Sequence, residues 1–125
     1  MSRIIQLKDL APSAVSRSRG LEAYEGILKQ LKPGVSLEID LRGQELISMS
    51  FLDEIVIKLQ SANLLDKVTF LFADDDIHQR LAQIAAIRDA QIFYKRSGKE
   101  ERRIIEVRPV PALELRKARS AGGRR

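Results

Sequence analysis

The chain has 125 residues, 44% hydrophobic and 31% charged, which is one domain's length and an ordinary folding composition, so disorder throughout is excluded. It contains no cysteine, which excludes disulfides, thiolate metal sites and a cysteine nucleophile and points to a cytoplasmic setting. The net charge of +5 is confined to residues 108–125, where six basic residues (Arg108, Arg116, Lys117, Arg119, Arg124, Arg125) face one acid, Glu114; residues 1–107 sum to zero.

Arg3–Leu7 reads as a short strand, and its flanks lack the apolar region of a signal peptide. From Arg19 to Lys32 the spacing of Leu21, Tyr24, Ile27, Leu28 and Leu31 predicts a helix, with Ser18 as N-cap and Pro33-Gly34 as its end. Val35–Leu41 alternates strictly, which predicts a strand with Val35, Leu37, Ile39 and Leu41 on its buried face. Arg42-Gly43-Gln44 turns the chain, and Ser50 is expected to open a second helix with Leu52, Ile55, Val56, Leu59 and Ala62 inward.

Val68–Phe72 is nearly all apolar and is expected to be a central strand covered on both faces. Asp74-Asp75-Asp76 precedes a third helix with Ile77, Leu81, Ile84, Ala85 and Ile87 inward. Ile92–Tyr94 and Ile104–Val107 read as two more strands, a hairpin across the polar KRSGKEER stretch. The predicted fold is α/β, a mixed β-sheet with helices packed on it, in the order β-α-β-α-β-α-β-β. The folded domain is expected over residues 1–107, with residues 108–125 a basic, flexible tail. No apolar run reaches the roughly 18 residues of a membrane span.

Catalytic chemistry finds little to work with. A serine nucleophile needs a base, and His78 is the single histidine. Histidine or cysteine metal sites are excluded by count, and neither glycine-rich phosphate motif occurs. Asp74-Asp75-Asp76 could offer oxygen ligands to a divalent cation, but an N-cap followed by first-turn acids explains it, at about 0.3–1 kcal/mol per charge from the helix dipole. The expectation is a chain that is not an enzyme and uses no cofactor or metal.

The segment Ile39–Leu59 is more informative. Ser50-Phe51-Leu52-Asp53 fits S-x-x-D, a capping box in which Ser50 caps and Asp53 answers. Phe51 has two readings, an exposed interface anchor at a rigid helix start or a ring folded back into the core.

Ile39-Asp40-Leu41 followed by Ser48-Met49-Ser50-Phe51-Leu52 resembles the STAS domain, the anti-sigma factor antagonist fold, whose strand reads hydrophobic-D-L and whose helix opens with D-S-S-G-L. Ser50-Phe51-Leu52-Asp53-Glu54 is similar to a STAS-like bacterial group of unassigned function with an S-F-L-D-E segment. In antagonists the second serine is phosphorylated by a serine kinase of the histidine-kinase-like ATPase type, and this switches partner binding off. That serine falls on Ser50; the motif's aspartate, first serine and glycine fall on Ser48, Met49 and Phe51, which differ from them.

The resemblance implies a regulatory protein-binding module. It would dock such an ATPase through Ser48, Ser50, Phe51, Asp53 and Glu54, with Ser50 as the phosphorylation site. The competing expectation is a nucleic-acid-associated adaptor that binds phosphates through the basic tail. A phosphate on Ser50 gains about 0.3–1 kcal/mol from the helix dipole. Asp53 and Glu54, about 7 Å away in water-like dielectric, each cost about 1 kcal/mol. On sequence alone, phosphorylation therefore loosens the helix start.

Overall fold

The structure, a computed structural model, describes residues 2–107, so the expected tail at 108–125 lies outside the described residues. The strands are β1 (Ser2–Gln6), β2 (Ser36–Asp40), β3 (Val68–Phe72), β4 (Phe93–Arg96) and β5 (Arg103–Ile104). The helices are α1 (Arg17–Gln30), α2 (Met49–Ser61) and α3 (Asp75–Arg88), with short 3-10 turns at Leu7–Asp9 and Leu65–Lys67. The predicted alternation of strands and helices is thus present; β4 lies one or two residues later than expected, and β5 is only two residues long, ending three residues before the expected Val107. The sheet runs β1-β2-β3-β4-β5, parallel from β1 to β4, with β5 antiparallel on β4.

Sequential parallel order with right-handed crossovers lays every helix on one face. The register fills that face with Leu37, Ile39, Val68, Phe70, Phe72 and Tyr94, all in one cluster with Ala23, Ile27, Phe51, Leu52, Ile55, Leu59, Leu81 and Ile84 from the helices. The opposite face carries two rows: Ile4, Glu38, Thr69, Phe93 and Ile104, then Gln6, Asp40, Leu71 and Lys95. Leu71 is buried yet outside the core cluster, as its place on that second face requires.

The expectation that β3 is a central strand covered on both faces holds, since all five of its residues are buried. Among the described residues no helix covers the second face. Side chains of the sheet itself bury its centre: Lys95 bonds Glu38 at 2.7 Å, Arg42 wraps Asp40, and Arg102 lies over Thr69. Glu38 and Asp40, expected to face outward, are therefore buried.

α1 departs from its predicted face in part: Ile27 is buried as expected, and Tyr24 and Leu31 pack partly buried against the core. Gly20, Ala23 and Ile27 are its buried residues, while Leu21 and Leu28 are exposed. The reason is a close approach to α2: a Cβ at Gly20 would stand 2.7 Å from the Phe51 carbonyl oxygen and 2.9 Å from the Glu54 Cβ. Small residues win the interface because they let the backbones meet, and the larger leucines ride on its shoulder. Ser16, not Ser18, caps α1 by accepting from the Arg19 amide at 3.2 Å. Ile87, expected inward on α3, is 70% exposed.

Candidate functional site

The carboxyl ends of parallel strands and the amino ends of the following helices meet at one rim of the sheet. In open α/β sheets ligands bind where the strand order reverses. Here the order never reverses, so no crevice of that kind opens. The rim holds a hollow of about 230 Å³ between the β2–α2 and β3–α3 loops, lined by Leu41, Arg42, Glu45, Ile47, Asp74 and Arg80 among others.

The start of α2 stands beside this hollow. Ser48 is the N-cap, and its hydroxyl accepts from the Phe51 amide at 3.1 Å. The expected Ser50–Asp53 capping box is therefore corrected: Ser50 is the second residue of the helix and exposed, and Asp53 does not cap. The shift of two residues has a tertiary cause. Ala14 forms a parallel bridge with Ile47, and the Ser48 amide donates to the Ala14 carbonyl at 2.8 Å. That tie holds the backbone extended up to Ser48 and lets the helix begin at Met49.

Phe51 is 0% exposed and packs in the core. Its role as an exposed interface anchor is thereby overturned. Apolar exposure at this corner comes from residues the sequence reading did not single out. Leu46, just before Ile47, is 63% exposed, and Val15, just after Ala14, is 46% exposed. The Ala14–Ile47 bridge joins their two loops. Nothing local marks either residue, because their proximity depends on a contact across 33 positions of sequence.

Asp53 is buried behind this corner. It accepts from Arg88 Nε at 3.0 Å and Nη2 at 2.7 Å, and from Arg17 Nη2 at 2.7 Å. One carboxylate of α2 thus ties down α1 and α3. The Arg88 hydrogen bonds hold its carboxyl below the usual aspartate range; burial opposes the shift, and Arg17 adds to it. Glu54 is paired at 3.4 Å with Arg17 and at 3.9 Å with Lys58. Of the expected partner-binding set, then, Ser48 and Ser50 lie at the helix start, Asp53 and Glu54 serve the helix–helix ties, and Phe51 is interior.

Asp40, in the strand half of the motif, is 2% exposed and accepts from Gln6 Nε2 and from Arg42 through its amide, Nε and Nη2, all at 2.9–3.0 Å. The Arg42 side chain holds its carboxyl below the usual range, against the effect of burial. Arg42 also donates to Ser97 Oγ at 3.0 Å, fixing the β2–α2 turn to the β4–β5 hairpin.

At α3, Asp74 is the N-cap and accepts from the Asp76 amide at 2.9 Å, and Asp75 pairs with Arg96. The capping explanation of this acidic run matches those contacts. His78 is half-buried, its ring edge-on to Phe72 and Tyr94 at centroid distances of 5.9 and 5.0 Å. No group of three or more His, Cys, Asp or Glu among the described residues is placed to hold a metal ion. None of their helices is long and apolar enough to cross a membrane.

The chain matches no protein-family model, no curated protein and no solved structure. Its geometry and its chemistry are therefore the ground for a functional reading.

Proposed function

We propose that this chain is a regulatory protein-binding module, resembling an anti-sigma factor antagonist, that docks its partner through the start of α2 and is switched by phosphate on Ser50. The observation that carries the reading is the corner itself. An exposed hydroxyl sits in the first turn of a capped helix, beside Leu46 and Val15, on loops pinned to each other by a backbone bridge. Rigid backbone with exposed apolar side chains keeps the entropic cost of docking low.

The ion pairs change the electrostatics of a phosphate there. Asp53 and Glu54 repel it, but Arg17, Arg88 and Lys58 already pair with them, leaving the five groups at a formal charge of +1. The repulsion of about 1 kcal/mol per acid is offset by cations at similar range. The helix dipole gain of about 0.3–1 kcal/mol then stands. A phosphate on Ser50 is compatible with an intact α2 and places about two negative charges on the docking corner.

The partner expected from the resemblance is a histidine-kinase-like ATPase of the serine-kinase type. The test mixes the ¹⁵N-labelled chain with such an ATPase from the same genome and maps amide shifts. Shifts at Val15 and from Leu46 to Phe51 support the reading, as does phosphorylation of Ser50 when ATP is added. Shifts confined to the uncovered sheet face sink it.

A further inference from the structure

β1 forms one edge of the sheet and β5 the other, and the two edges are built differently. β5 is two residues long and contains Arg103, which pairs with Glu101 in an exposed contact; brevity and charge blunt it. β1 pairs with β2 over all five of its residues without a bulge, holds neither proline nor glycine, and leaves Ile4 61% exposed. Among the described residues no strand pairs with its outer side, so alternate backbone amides and carbonyls there have no ladder partner.

This edge has a charged flank. α1 crosses from β1 to β2 and α2 from β2 to β3, so the side of α1 away from α2 overhangs β1. Gly20 meets α2 and Gly26 meets Leu10, about 120° apart around the helix with the buried Ala23 between them. Beside Gly26, that outer side holds a hollow of about 370 Å³ lined by Asp9, Glu22, Glu25 and Lys29 among others. Glu22 pairs with Arg19 at 2.7 Å. Asp9, Glu25 and Lys29 have no ion-pair partner among the described residues and leave the hollow one net negative charge. Arg3, in register with Leu37, stands on the helix side of β1; it is exposed and has no carboxylate partner among the described residues.

We propose that β1 is the interface of a symmetric dimer, in which the β1 strands of two copies pair antiparallel about a two-fold axis at Ile4 and the sheet runs on from one copy into the other. Overlap of all five residues fixes the centre. Ile4 then opposes Ile4, Arg3 opposes Ile5 and Ser2 opposes Gln6 of the second copy, each pair on one face of the sheet. A two-fold contact closes at two copies, whereas joining β1 to β5 would propagate without end. Charge selects the second copy as the occupant. The register carries each Arg3 to the helix side of the other copy's β1, beneath an α1 flank whose hollow lacks one positive charge. The contact is smaller than a standard interface of about 1,600 Å², so the dimer is weak and half-dissociates at about 10–100 µM. It lies apart from the start of α2, so either association can fail without the other.

The experiment is sedimentation velocity on the full chain from about 10 µM to 1 mM at about 100 mM salt. A concentration-dependent shift from monomer to dimer is expected. Ile4→Lys sets two ammonium groups against each other at the axis and is expected to stay monomeric, with an unchanged urea midpoint because the position is exposed. Ile104→Lys, on the blunt edge, is expected to dimerise as the wild type does. Arg3→Glu is expected to weaken the dimer about tenfold or more, and the swap Arg3→Glu with Glu25→Arg to restore it. A chain that stays monomeric to 1 mM, a dimer indifferent to Ile4→Lys, loss of the dimer with Ile104→Lys instead, or a swap as weak as Arg3→Glu alone, each overturns the proposal.

Discussion

Asp53 is the residue whose removal tests the reading of the helical layer most sharply. Three hydrogen bonds from two arginines converge on its carboxylate. Bonds to charged groups are worth about 1.5–3 kcal/mol each when shielded from water. Arg17 and Arg88 are 50% and 37% exposed and regain water when the carboxylate is lost, so the sum is well below additive. Asp53→Ala is expected to cost about 2–3 kcal/mol, a fall in Tm of about 10–20 °C for a domain of this size. Urea unfolding followed by circular dichroism measures it, with the exposed Asp66→Ala as a control expected within about 0.5 kcal/mol of the wild type.

The pH dependence has a definite sign. Asp53 titrates in the folded chain below its ordinary 3.8. Its stabilisation is complete above the unfolded value and is lost as pH falls through the lowered folded one. The difference between wild type and Asp53→Asn should therefore shrink below about pH 4. An Asp53→Ala chain as stable as the wild type, or a difference that grows on acidification, would refute the argument.

The cap assignment gives a paired test: Ser48→Ala is expected to cost about 1 kcal/mol in the same unfolding assay, while Ser50→Ala stays within about 0.5 kcal/mol. The reverse order would restore Ser50 as the cap. At Gly20, alanine gains about 1 kcal/mol of helix propensity but forces its methyl against the Phe51 carbonyl. Overpacking of about 1–3 kcal/mol should win, and a stabilised Gly20→Ala would show that α1 and α2 separate without cost.

The elements were legible in the sequence because each carries its own period. Val35–Leu41 alternates, α2 repeats at three and four, and Asp74-Asp75-Asp76 announces α3. What escaped was set by contacts between elements. The predicted stripe Leu21, Tyr24, Ile27, Leu28, Leu31 includes the buried Ile27 but not Gly20 or Ala23, and only the nearness of α2 turns the helix toward those small residues. Ser48 and Ser50 are equally able caps, and the choice is made by Ala14, far upstream.

Asp53 looked like the answering half of a capping box because its true partners lie 35 and 36 residues away, where no local pattern can point. The alternation in β2 correctly gave one apolar face. It could not show that Lys95 and Arg42 would bury Glu38 and Asp40 on the other.

The most direct measurement of the docking corner is the affinity of the histidine-kinase-like ATPase for two full-length variants by isothermal titration. Leu46→Glu puts a charge at the α2 corner, and Ile104→Glu puts one on the uncovered sheet face. Loss of a central contact costs about 2 kcal/mol or more, so Leu46→Glu should weaken binding about thirtyfold or more while Ile104→Glu binds as the wild type does. Undiminished binding by Leu46→Glu, with loss for Ile104→Glu, would place the partner on the wrong side of the molecule and contradict the account.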